Sequence, residues 1–245
     1  MVDHLSSHFA MKDLGSLHYF LGVEAVRTTS TLKLTQSKSI VSILSRMNML
    51  DCKPCSTPVK MGRKLSLYDG TLLDDPTSYR QIVGALQYLT FTRPDIMYAV
   101  QQVCQFMHSP RDTHLQAVKR ILRYLKGTIN FGISFISTSS STLTGYVDSD
   151  WAGCPDRRRS TMGHCIFLGA NPISWSTKKQ VTLSQSSTEA EYKALSSATS
   201  ELLWISYLLH DLGIAPSSPI TLYSLSFDPS CCGCLPHQLE GAYSG

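Results

Sequence analysis

The sequence predicts an α+β fold in two parts. Apolar residues between positions 39 and 126 recur at helical spacing, while those between 142 and 182 alternate as strands do. The serine/threonine run from Ser137 to Thr142 separates the two patterns and marks the expected domain boundary. Hydrophobic residues make up 42% of the 245 positions and charged residues 16%, the balance of a globular chain and not a disordered one.

The elements follow in order. Residues 16–35 read as two strands, with Leu17, Tyr19, Leu21 and Val23 alternating, then Leu32 and Leu34. Ile40, Ile43, Leu44 and Met47 predict a helix over 39–49, which the proline-bearing stretch Asp51 to Pro58 ends. Three helices come next. One carries Tyr79, Ile82, Leu86 and Leu89; one starts at Pro94 and stops before Ser109-Pro110; one runs from Asp112 to Lys126 with Gly127 as its cap. Beyond the linker, strands are expected over 142–151, 161–168 and 172–182, with Gly169 to Pro172 as a turn. A long helix over 188–212 and a strand beginning at Pro219 complete the pattern.

Composition excludes several classes. No apolar run approaches the ~20 residues of a membrane span, and the first ten residues lack the apolar centre of a secretory signal. A membrane is therefore not an expected partner; no small-molecule substrate is expected either. The 8 cysteines read as reduced thiols of an intracellular protein. Cys52/Cys55 and Cys231/Cys234 are C-x-x-C pairs, but they flank both parts, and no feature predicts that they meet around zinc. The net charge of +4 permits a polyanionic partner without requiring one. Nothing in the sequence sets an oligomeric state.

Two basic groups and one acidic group stand out. Lys119, Arg120, Arg123 and Lys126 lie off the apolar stripe of their helix, where they form either a solvated face or a phosphate-contacting one, with Tyr124 as a stacking residue. Arg157, Arg158 and Arg159 cluster in an expected loop with the same two readings. Asp148 and Asp150 occupy i and i+2 of a strand, hence one side of it, although acidic residues are depleted in strands. In the long helix, stepping back one turn from the stripe Leu195, Ala198, Leu202, Ile205, Leu209 reaches Glu191, which directs a carboxylate toward the core. Glu191 also fits a capping box from Thr188, whereas Ser186 and Glu189 form an alternative box that frees it. Carboxylates on neighbouring elements suit Mg²⁺ or Mn²⁺, but two-ion phosphodiester chemistry needs about four of them.

The residues resemble a known family. Phe9 to Gly15 followed by Leu17-His18-Tyr19-Phe20-Leu21-Gly22 resembles the late palm of copia-type retrotransposon reverse transcriptases. Tyr79 to Leu89, Arg93-Pro94-Asp95-Ile96 and Arg123 to Thr128 resemble the thumb and connection that follow. Asp148-Ser149-Asp150-Trp151-Ala152-Gly153, Arg159-Ser160-Thr161, Ser174-Trp175, Lys178-Lys179-Gln180 and Ser187 to Tyr192 resemble the ribonuclease H domain of the same Pol polyproteins. The resemblance implies a reverse transcriptase part over 1–136, a truncated ribonuclease H-like mixed sheet with its helix over 142–223, and a divergent tail over 224–245. It implies Mg²⁺ as the ancestral cofactor, an RNA–DNA hybrid as partner, and Asp148 and Glu191 as catalytic and metal-binding residues.

The sequence departs from the family at two ends. The polymerase aspartates belong upstream of residue 1. Tyr146-Val147-Asp148-Ser149 is not their equivalent, because it follows the thumb-like helices and precedes Trp151-Ala152-Gly153. The family's next ribonuclease H aspartate falls at Leu225, with Asp228 three positions late. The expected reading is a catalytically inactive Pol fragment whose residues after Tyr223 are loosely attached. A non-enzymatic nucleic-acid-binding module and a weak nuclease using Asp228 are the alternatives.

Overall fold

The computed structural model describes residues 17–60, 62, 64–137, 140–214 and 218–224. The expectations for Phe9 to Gly15, Leu225, Asp228, Cys231/Cys234 and the tail lie outside them. The described chain is α+β, with helices, one antiparallel sheet and one mixed sheet.

Strands β1 (Tyr19–Phe20), β2 (Val23–Arg27), β3 (Thr31–Thr35) and β4 (Gly132–Ile136) form the antiparallel sheet in that order. The first expected strand is broken in two. Leu21 and Gly22 take φ of 47° and 77°, forming the two-residue turn with which a tight hairpin reverses, and glycine adopts the second angle without steric cost. Strand β4 was not expected, since its pairing partner β3 is about a hundred residues earlier and leaves no local mark.

Helices α1 (Ser37–Arg46), α2 (Thr77–Leu89), α3 (Met97–Cys104, entered through a 3₁₀ turn at Pro94–Ile96) and α4 (Asp112–Gly127) pack beside that sheet. Their stripes close on one another: Ile40, Leu44, Tyr79, Leu86, Leu89, Leu122 and Leu125 are almost fully buried in a single cluster. Helix α4 runs one residue further than expected, through Gly127, and Thr128 is its cap.

Strands β5 (Leu143–Asp150), β6 (Thr161–Leu168) and β7 (Asn171–Lys179), helix α5 (Ser187–Asp211) and strand β8 (Thr221–Ser224) make the second part. The sheet order is β7-β6-β5-β8, antiparallel except that β8 runs parallel to β5. A parallel neighbour needs a crossover, and α5 supplies it. Pro172 sits in the edge strand β7, where no ladder partner is lost. Gly145 lets α5 and β8 close on β5: a β-carbon there would meet Leu222 at 2.9 Å and Leu202 at 3.0 Å.

The two parts are tied by polar contacts. The Trp175 indole N–H donates to the Thr90 carbonyl at 2.9 Å. The Asn171 amide accepts from the Ile136 N–H and donates to the Ile136 carbonyl. The Asp156 carboxylate accepts from the Ser66 hydroxyl at 2.5 Å and the Leu67 N–H at 2.9 Å.

Candidate functional site

The pleat of β5 sorts its residues. Leu143, Val147 and Ser149 are buried on the side that faces α5, whereas Tyr146, Asp148 and Asp150 are half-buried on the other. The parallel ladder pairs Thr144 with Thr221 through Val147 with Ser224, so the described register stops one residue before Asp148. Asp148 Oδ1 accepts the Ser149 N–H at 2.8 Å. Burial raises the Asp148 carboxyl above its ordinary value; the Ser149 N–H opposes that rise, and the negative charge of Glu191 adds to it. The two expected ligands are thus within electrostatic reach of each other.

Glu191 is placed by α5. The buried stripe of that helix runs Ala190, Ala194, Ala198, Leu202, Ile205, Leu209. This corrects the expected stripe at its front end, where small alanines, and not Glu191 and Leu195, meet the sheet. Leu195 is partly buried against the cluster of Val147, Ala194 and Ala198, and Glu191, one turn earlier, is half-buried. A half-buried carboxylate stays hydrated and reachable, which suits a ligand better than full burial.

The capping ambiguity resolves in favour of Ser186. Its hydroxyl accepts the Glu189 N–H at 3.1 Å, while Glu189 accepts the Gln185 N–H and pairs with Lys193 at 2.7 Å. Glu189 is therefore committed to the helix start, and Glu191 is not needed there. Asp150 is committed as well. Its Oδ1 accepts the Thr161 N–H at 2.7 Å, and its carboxyl, raised chiefly by burial, also takes the Gly153 N–H.

Gln180, which the sequence offers only as the last residue of the Lys178-Lys179-Gln180 motif, is a positioning residue. It is buried, and its amide donates to the Ala190 carbonyl and the Ser149 hydroxyl while accepting from Ser184. One side chain thereby joins the end of β5 to the first turn of α5. The motif marked the residue, but its partners Ser149 and Ala190 lie 31 and 10 positions away and left no local mark.

The donor set decides what a metal can find here. Among the described residues, no three His, Cys, Asp or Glu side chains converge to hold an ion. Two carboxylates fit one hydrated Mg²⁺ completed by water or substrate oxygens. They do not fit a two-ion centre, and no cleavage step is derived through one.

The basic residues divide by use. Lys119 is exposed and Lys126 half-buried on α4. Arg120 donates to the Thr57 hydroxyl and Arg123 to the Lys53 carbonyl, each at 2.7 Å, strapping the connector after α1 to α4. Tyr124 is buried, with its hydroxyl on Asp95, so it offers no stacking surface. Cys55 donates its thiol to the Thr57 and Arg120 carbonyls, an ordinary structural role. Arg157 and Arg158 are exposed and Arg159 half-buried in a turn closed by the Cys154 N–H on the Arg159 carbonyl. That turn also carries Asp156, whose partners Ser66 and Leu67 accept bonds from His114 and Arg111 at the start of α4. Both basic groups therefore lie around one helix.

Comparison with known proteins is decisive. A family model described as reverse transcriptase (RNA-dependent DNA polymerase) matches residues 1–61. The chain is 52% identical to the retrovirus-related Pol polyprotein from transposon RE1 of Arabidopsis thaliana over 91% of its length. It is 40% identical to the Pol polyprotein from transposon TNT 1-94 of Nicotiana tabacum over 86%. An uncharacterized mitochondrial protein of Arabidopsis thaliana is 51% identical over 84% of this chain and 85% of its own. The chain belongs to the Pol polyprotein family of copia-type retrotransposons. It spans 15% of the RE1 polyprotein and 16% of the TNT 1-94 polyprotein. No solved structure matches it. Within this Pol segment no described helix is long and apolar enough to cross a membrane.

Proposed function

We propose that this Pol segment joins the late palm and connection of a reverse transcriptase, over 1–136, to the front of a ribonuclease H-like module, over 142–223. In this reading Asp148 and Glu191 are the surviving metal ligands, and the segment binds an RNA–DNA hybrid weakly without cleaving it. The observation that carries the reading is that Asp148, half-buried on β5, feels the negative charge of Glu191 at the start of α5, while Glu189 and Asp150 are both engaged elsewhere. A mixed sheet in which a parallel strand follows the long helix agrees with it. The reverse transcriptase match and the Pol relatives support a nucleic-acid partner and an ancestral divalent metal. Lys119, Lys126, Arg157 and Arg158, with Arg120, Arg123 and Arg159 behind them, supply the cationic track for phosphates.

Inactivity follows from the ligand count. One carboxylate pair holds a single ion, and Leu225 offers no oxygen at the position where the family has its next aspartate. Mn²⁺ binding, followed by paramagnetic broadening of nearby resonances, tests the pair. Broadening centred on Asp148 and Glu191 is expected, and Asp148→Asn and Glu191→Gln should each abolish it. Broadening that persists in both variants would remove the assignment.

A further inference from the structure

We propose that the outward face of α5 is a self-association surface on which two copies of this chain pair helix against helix across a two-fold axis. The last turns of α5 are apolar on both sides. Leu202, Ile205 and Leu209 face the sheet, yet Leu203, Trp204, Tyr207 and Leu208 are 48%, 59%, 68% and 43% exposed, and Leu212 just beyond is 65% exposed. Spacings of one, three and four residues make these five a continuous second stripe. A helix apolar all round is one that is covered on both faces.

The chemistry of the face selects its occupant. From Ala194 to Ile214 there is no Lys or Arg, and Glu201 and Asp211 are acidic, so a polyanion is disfavoured. The earlier turns of the same exposed side carry Ser196, Thr199 and Ser200, small residues that leave room for bulky ones. An antiparallel second copy brings its apolar end over those small residues, which makes the face self-complementary, as a two-fold contact requires. The five side chains leave on the order of 600 Å² open, and two copies would remove about 1,200 Å² from water, the lower end of stable interfaces. The carboxylate of Asp148 lies on the opposite side of the sheet, so pairing leaves it open. The proposal does not rest on the nuclease reading.

Sedimentation equilibrium of the full chain under reducing conditions tests it, from about 1 μM to about 100 μM. A dimer is expected whose stability does not fall with added salt. Tyr207→Arg, at a position exposed in the monomer, should weaken it at least about tenfold, as should Trp204→Ala with Leu208→Ala. Val181→Ala, at an exposed apolar position outside α5, should leave it unchanged. Far-UV circular dichroism confirms that each variant is folded. A wild type that stays monomeric throughout, a dimer that persists in folded Tyr207→Arg, or one weakened equally by Val181→Ala would overturn the proposal.

Discussion

The two halves of the molecule spend their side chains differently. The first closes one continuous core over four helices, and its arginines serve as struts: Arg93 is 1% exposed, bonded to Asp95 and Thr128, while Arg120 and Arg123 hold the connector. The second half divides its buried apolar residues between two small clusters, one around Leu143, Ile166, Leu202, Ile205 and Leu209, the other around Val147, Ala194 and Ala198. It leaves aromatic residues on α5 in water and two half-buried carboxylates on one side of β5. The buried charge of the first half, Arg93 with Asp95, is paired, whereas the half-buried carboxyl of Asp148 in the second is raised by burial with only the Ser149 N–H to offset it.

The largest expected effect tests this contrast in stability. Leu122→Ala should cost about 3 kcal/mol, because a closed core cannot collapse around the lost atoms, and Leu202→Ala about 2 kcal/mol, because its cluster is small and open at the margin. Urea unfolding followed by circular dichroism reads both. All three tryptophans, Trp151, Trp175 and Trp204, lie in the second half. If the polar ties couple the halves, Leu122→Ala moves the tryptophan transition too; a tryptophan transition that stays put would show independent halves.

Gln180→Ala comes next, at about 2 kcal/mol, since it strands the Ala190 carbonyl and the Ser149 and Ser184 hydroxyls together. Its loss should also disturb the resonances of Glu191 more than those of α4, which a purely global effect would not do.

The basic surface should separate struts from free cations. Lys119→Ala with Lys126→Ala is expected to leave stability unchanged and to lower the salt slope of hybrid binding by up to about two. Arg120→Ala with Arg123→Ala should instead loosen the connector and lower the unfolding midpoint. Equal behaviour of the two pairs in both measurements would remove the distinction.

The smallest effect concerns Asp148. Its carboxyl is raised in the folded chain, so between its unfolded and folded pKa values the folded state holds more protons. Stability from this group is therefore greatest below that window and falls as pH rises through it. At neutral pH, Asp148→Asn should raise Tm by about 1–2 °C, the scale of ~0.5 kcal/mol for a chain of this size. At pH 3 the difference should vanish. A lowered Tm at neutral pH would mean that the charge is stabilising.

What was readable in the sequence follows from the range of the interactions involved. The stripe Val118, Leu122, Leu125 gave α4 and the alternation around Asp148 gave β5, because both are local periodicities, whereas the stripe that pointed Glu191 at the core failed at its front end, where Ala190 and Ala194 take that face. Strand β4 and the strut roles of Arg120 and Arg123 were not readable, since their partners Thr31–Thr35, Thr57 and Lys53 are far away in sequence. The break at Leu21-Gly22 escaped because leucine with positive φ is uncommon. At the start of α5 the two capping boxes differ by two residues in register, a choice that packing of Ala190 and Ala194 settles and spacing does not.

The central claim is that this Pol segment keeps half of a metal site. A cleavage assay on an RNA–DNA hybrid, in Mg²⁺ and in Mn²⁺, with Asp148→Asn and Glu191→Gln as controls, tests it most directly. No metal-dependent product above the level of either variant is expected. Cleavage by the wild type that both substitutions abolish would contradict the account and require a further ligand, for which Asp228 is the nearest carboxylate in sequence to Leu225.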